Sequence, residues 1–149
     1  MKLSQLYYPW NQIHAGTLAT LDKFSESELS YVPYEGGMPV GRIALHIADA
    51  EEGWFRMAVT KERQDWPSDY TLTNYPTKKA IKTLLSEVHA KTMAYLETLT
   101  TDDLATEFEA PWGKFTIGFV VWHVLEHEIH HRGELSLILG TLGREGLDV

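Results

Sequence analysis

The stretch His123-Val-Leu-Glu-His127-Glu128-Ile-His130-His131-Arg132-Gly133-Glu134 holds four of the chain's seven histidines within nine residues. His123, His127 and His131 recur every fourth position. At about 100° per residue, each step of four turns only about 40° around a helix, so the three imidazoles share one face. Imidazoles stacked on one face are suited to a divalent metal ion. The same stretch reads His127-Glu128-x-x-His131, the pattern in which two histidines one turn apart bind zinc and the glutamate acts as general base in metalloproteases.

Working outward, the apolar periodicity predicts four long helices. The last runs from a capping Thr116 to about Leu139, with Gly140 as a stop. Before it, Phe108 and Phe115 flank Pro111-Trp112-Gly113-Lys114, a tight turn that reads as a small hairpin. The third helix extends from Pro76 or Thr77 to Leu99 on Ile81, Leu84, Leu85, Val88, Met93 and Leu96. The second extends from about Pro39 to Thr60 on Ile43, Ile47, Ala50, Trp54 and Met57. The first extends from about Leu3 to Phe24, with Pro9 tolerable near its start. Gly143 to Val149 reads as a tail. No repeat or linker interrupts the 149 residues, so the expectation is one domain, all-α, four helices around one core.

Composition narrows the functions. Apolar residues make up 44% of the chain, as in an ordinary globular protein. There is no cysteine, which excludes thiolate ligands and a cysteine nucleophile within the chain. The formal net charge of −8 argues against nucleic acid, whose phosphates require Lys and Arg. No stretch approaches the roughly 18 apolar residues of a membrane span, and the N-terminus lacks a signal-like apolar core. The expected setting is soluble and cytoplasmic.

A metal site built on the last helix needs a third ligand. His123 would complete a self-contained ladder. His46 is the remote alternative, midway along the second helix among Ile43, Ala50, Gly53 and Met57. Alone it reads as a buried, hydrogen-bonded histidine. His127 and His131 also sit among apolar neighbours, so two such faces packed together would place several imidazoles in one pocket. A three-histidine site leaves coordination positions open, as catalytic sites do. The protease reading is weak. Only 18 residues follow His131, no histidine is among them, and Gly133 stands one place too early for the extended motif.

The combination of His46-Ile-Ala-Asp-Ala-Glu51, the Pro111-Trp112-Gly113 turn and His127-Glu-Ile-His-His131-Arg132-Gly133-Glu134 resembles the DinB-like (YfiT-like) family over nearly the whole chain. The resemblance implies an antiparallel four-helix bundle, usually a homodimer, holding a divalent ion (Zn, Ni or Fe) through His46, His127 and His131. The family usually has Gln where this chain has Glu134, which leaves that carboxylate as a ligand, a support for a ligand, or a surface group. Glu128 and Glu134 are the candidate catalytic carboxylates, with a solvated or inter-helix ion pair the equal alternative for Glu128. His123 and His130 are expected to support the site or helix interface, His14 to face the surface ahead of lining the pocket, and His89 to be exposed. The tryptophans are expected as core or loop anchors, some forming an apolar vestibule.

Some members of the family resemble metal-dependent transferases that use a low-molecular-weight thiol of the bacillithiol or mycothiol type in detoxification or stress response. That is the leading functional expectation, with a small-molecule substrate. The alternatives are a metal-dependent hydrolase using metal-bound water, and a non-catalytic metal- or ligand-binding bundle.

Overall fold

A computed structural model describes residues 1–146 of the chain. Residues 147–149, the end of the expected tail, lie outside the described residues. The fold is helical apart from one hairpin. Its elements are α1 (Leu3–Leu6), α2 (Pro9–Asp22), α3 (Val40–Glu52), α4 (Lys78–Thr98), β1 (Glu107–Ala110), β2 (Gly113–Thr116) and α5 (Ile117–Thr141).

Local chemistry sets most boundaries. Thr77 Oγ1 accepts from the backbone N–H of Ala80, and Thr116 Oγ1 from that of Phe119, each at 3.1 Å. These hydroxyls satisfy amides that have no partner inside the helix. The expected first helix is divided in two. Proline lacks an N–H and clashes with the preceding turn, so Pro9 occupies the first turn of a new helix rather than the interior of the old one. Gly140 does not stop α5, which runs one residue further. The expected hairpin is present, pairing Ala110 with Gly113 across the Pro111-Trp112 turn.

The second helix changes its winding midway. From Gly53 to Val59 it becomes a π-helix. Gly53 lies under the Trp66 ring, where a Cβ would come within 2.6 Å of it. The wider turn ends at Val59, and two residues on, Lys61 has a φ of 60° in the left-handed region.

Helix directions follow from which residues meet. His46 meets His131, while Trp54 meets Phe115 and Phe119, so α3 and α5 are antiparallel. His14 meets His89 and Asp22 meets Lys82, so α2 and α4 are antiparallel. Trp10 reaches Glu128 while Lys23 reaches Gly146, so α2 runs parallel to α5. Glu51 pairs with His89 and Arg56 lies over Tyr95, so α3 and its π-helical extension run parallel to α4. The four-helix bundle thus combines antiparallel and parallel neighbours. Parallel neighbours consecutive in sequence need a long return, which residues 60–77 supply between α3 and α4.

Two apolar clusters fill the bundle. One includes Leu21, Ile43, Ile47, Leu85 and Leu135. The other includes Trp10, Phe55, Leu96, Val120 and Val124. Between them in chain order, on every long helix, lies a buried polar residue: His14, Glu51, His89 or Glu128. Among the described residues no helix is long and apolar enough to cross a membrane.

Candidate metal centre

The antiparallel packing of α3 on α5 brings His46 against His127 and His131. One ring nitrogen from each lies within 4.8 Å of the others. The Nε2 atoms of His46 and His127 are 3.2 Å apart. Ligands on a tetrahedral ion with about 2.05 Å bonds stand about 3.3 Å apart, so this separation matches the edge of a coordination polyhedron. The three rings meet at steep angles of 68–76°, an arrangement that lets their edges converge.

Carboxylates orient two of the rings. His46 Nδ1 lies 2.9 Å from Asp49 Oδ1, and the other oxygen of Asp49 takes Arg42 Nη2 at 2.8 Å. His131 Nδ1 lies 2.7 Å from Glu134 Oε2. A carboxylate there requires the proton on Nδ1 and leaves Nε2 with its lone pair, the tautomer a metal needs. Burial, reinforced by the neighbouring His131, His46 and His123, drives the pKa of His127 down to about 3. Burial is also the largest influence on His131 and holds it below its ordinary value, although Glu134 pulls the other way. Both rings are therefore neutral near pH 7, as ligands must be. His46 remains about one-third exposed, so the cluster opens to solvent. The donor set thus fits a borderline divalent ion with an open coordination position.

The other residues singled out from sequence are dispersed around this cluster. His123 is outside it, stacked on Phe119 at 5.3 Å and edge-on to Trp54 at 5.3 Å. His130 is exposed, with its ring 4.8 Å from that of His131. Glu134 supports His131, three residues before it, rather than His127.

Glu128 turns the opposite way, into the polar layer between the two apolar clusters. Its carboxylate accepts from Trp10 Nε1 at 2.6 Å, Thr17 Oγ1 at 2.8 Å and His14 Nδ1 at 2.9 Å. On the other side of the layer, His89 Nδ1 lies 3.2 Å from Glu51 Oε1, and its Nε2 lies 3.2 Å from Asn11 Oδ1. The His14 and His89 rings stack at 4.2 Å, only 12° from parallel. Burial favours neutrality for both His14 and Glu128, but their mutual bond and charges outweigh it, raising the His14 pKa and lowering that of Glu128.

Three sequence expectations need correction here. His14 and His89 are both 5% exposed, not at the surface. Each sits on the apolar stripe of its helix, His14 four residues after Trp10 and His89 four after Leu85, and that was the signal available. Glu128 is committed to this layer and does not reach the His46 cluster. Although the buried quartet offers four donors within 4.8 Å of one another, its near-parallel imidazoles cannot both aim a lone pair at one ion. The sequence reading missed Asp49, although it lies one turn after His46.

A family model described as the DinB superfamily matches residues 10–135. The Bacillus subtilis (strain 168) protein YjoA is 26% identical over 129 residues, covering 85% of this chain and 81% of that protein. Its crystal structure superposes with a TM-score of 0.70 at 22% identity, covering 97% of this chain and 96% of that one. A DinB-like protein from Bacillus cereus ATCC 10987 gives a TM-score of 0.81 at 20% identity, covering 99% and 97%. At those identities the likeness establishes the fold. YfiT from Bacillus subtilis, described as a probable metal-dependent hydrolase with an unusual four-helix bundle topology, is 26% identical with a TM-score of 0.60, covering 88% of this chain and 86% of that one.

Proposed function

The chain belongs to the DinB superfamily, and from the geometry of its imidazole cluster we propose that it is a divalent-metal-dependent enzyme transferring a small-molecule group to a low-molecular-weight thiol. His46, His127 and His131 are the ligands, Asp49 and Glu134 position two of them, and the ion is Zn, Ni or Fe. When bound, the ion supplies Lewis acidity that favours the deprotonated nucleophile.

The observation that carries this reading is the commitment of the surrounding carboxylates. Asp49 is held by His46 and Arg42, Glu134 by His131, and Glu128 by the polar layer behind. Asp49 and Glu128 have both oxygens engaged and Glu134 has one engaged on His131, which favours a nucleophile that needs little help from a base. A thiol with an ordinary pKa near 8.5 needs a far smaller shift than water at about 15.7. With no cysteine in the chain, the thiol comes from a cosubstrate. Its sulfur forms a bond to the electrophilic carbon, that carbon releases its leaving group, and the thiol proton passes to solvent.

The second reading is a metal-dependent hydrolase. It is favoured by the description of YfiT, at 26% identity. Metal-loaded protein incubated with an alkylating substrate, with and without low-molecular-weight thiols, separates the two. The transferase reading expects substrate loss only with thiol, and one thioether formed per thiol consumed. Loss without thiol favours hydrolysis. No loss under either condition, with the metal confirmed in place, would leave neither reading standing.

A further inference from the structure

Rings recur at every fourth position from β2 along α5: Phe115, Phe119, His123, His127 and His131. Neighbouring centroids lie 5.1, 5.3, 6.4 and 4.4 Å apart. Spacing by four lays them along one slowly drifting stripe. The stripe ends at the candidate ligands and is carbocyclic at its far end. Phe119 and His123 are within 9° of parallel, so the rings lie in register there.

This outer end is braced from behind. Trp54 meets Trp112, Phe115, Phe119 and His123 edge-on, at interplanar angles of 68–88°. Trp66 backs Trp112 at 5.8 Å and is seated on Gly53, where the π-helix begins. π-Helical turns are frequent at functional sites. The front of the wall is open: Phe119 is 45% exposed and Trp122 60%. A cavity of about 500 Å³ lined by Gly118, Phe119, Trp122 and His123 lies against it, a volume suited to a small molecule. These residues supply no carboxylate, ammonium or guanidinium to pair with a charged ligand.

We propose that Phe119, Trp122 and His123 bind a planar, uncharged aromatic group of the molecule handled at the His46/His127/His131 site, a proposal that rests on the metal-site reading above. Two features select a ring over an aliphatic chain. The exposed Trp122 indole lines the cavity beside the stacked Phe119 and His123 and can pair with a flat ring, and such ring pairs gain beyond the area they bury. Trp54 already holds Phe119 and His123 edge-on, so little order is lost when those two rings are covered. Its contact with His127 through His123 makes it continuous with the imidazole cluster.

Hydroxamates test this without turnover, because the chelating head anchors to an open metal position and the tail reports the wall. Benzohydroxamate, cyclohexanecarbohydroxamate and acetohydroxamate would be titrated calorimetrically against zinc-loaded protein, with bound zinc measured in each sample. The expectation is benzohydroxamate at least tenfold tighter than either other probe. Phe119→Ala and Trp122→Ala should reduce that preference severalfold while zinc content and acetohydroxamate affinity stay unchanged. Equal binding of the phenyl and cyclohexyl probes would overturn the aromatic assignment, and a preference unaffected by both substitutions would overturn the wall. No binding of any probe to zinc-loaded protein would overturn the open metal site as well. Self-association abolished by Trp122→Ala would identify the face as a contact between copies of the chain and overturn the proposal.

Discussion

Glu134 Oε2 lies 2.7 Å from His131 Nδ1, one helical turn away on α5. The pair fixes which nitrogen of His131 carries the proton, and Asp49 does the same for His46 across the bundle. Glu134→Ala and Asp49→Ala should each weaken zinc binding by roughly 10- to 100-fold, the usual cost of losing an oriented partner of a ligating histidine. Glu134→Gln should lose less, because its amide oxygen can still accept from Nδ1. Competition with a chromophoric chelator measures this. Full affinity in Glu134→Ala would show that the carboxylate does not orient His131.

The three imidazoles should be separable from the fourth. His46→Ala, His127→Ala and His131→Ala should each strip most of the metal from protein purified without an affinity tag. His123→Ala should leave metal content unchanged, since that ring lies against Phe119 and Trp54. Elemental analysis gives the answer. Retention of metal by His46→Ala, with loss in His123→Ala, would place the ion on the α5 ladder alone.

The helices were legible because they rest on periodicity, whereas the choice of His46 over His123 as the partner of His127 and His131 came from the resemblance to the DinB-like family. Four amphipathic stripes imply a bundle, and His46 among Ile43 and Ala50 had to face inward. The polar layer was harder to read. A stripe tells which face is buried, not how far along the bundle each residue sits. Glu51 and His89 are 38 residues apart, and His14 and Glu128 are 114 apart. Only the packed helices bring these to one level. For the same reason Glu128 resembled a catalytic residue from its place beside His127, although a one-residue step turns it about 100° away. The π-helix was not legible at all, since it accompanies a packing of Trp66 on Gly53 that no local pattern announces.

That close contact makes Gly53 sensitive. In Gly53→Ala the added methyl would meet three atoms of the Trp66 ring at 2.6–2.7 Å, and that ring is in turn held against Trp112. Alanine's higher helix propensity works the other way by about 1 kcal/mol. Overpacking of this kind costs about 1–3 kcal/mol, so the net expectation is destabilisation and a drop of several degrees in Tm. Thermal unfolding followed by circular dichroism checks it. An unchanged or higher Tm would mean that Trp66 moves aside at little cost.

The polar layer should impose a stability optimum on the bundle. His14 is raised above the ordinary histidine value of 6.5, so its contribution is fully present below about pH 6.5 and is lost as pH rises through the folded-state pKa. Glu128 is lowered below the ordinary glutamate value of 4.5, so its contribution is present above about pH 4.5 and is lost as pH falls through its folded-state pKa. Both act together between those values. Urea unfolding with chelator present, so that metal does not add its own pH dependence, should therefore show the pair's contribution declining on both sides of that window. Glu128→Gln removes the charge that raises His14, and it should lower stability while flattening both limbs. Glu128→Ala should cost more, about 3–5 kcal/mol, because it leaves buried donors on Trp10, His14 and Thr17 without their acceptor. A Glu128→Gln profile that keeps the parent's slopes on both limbs would show that other groups control the titration and that the layer acts by packing alone.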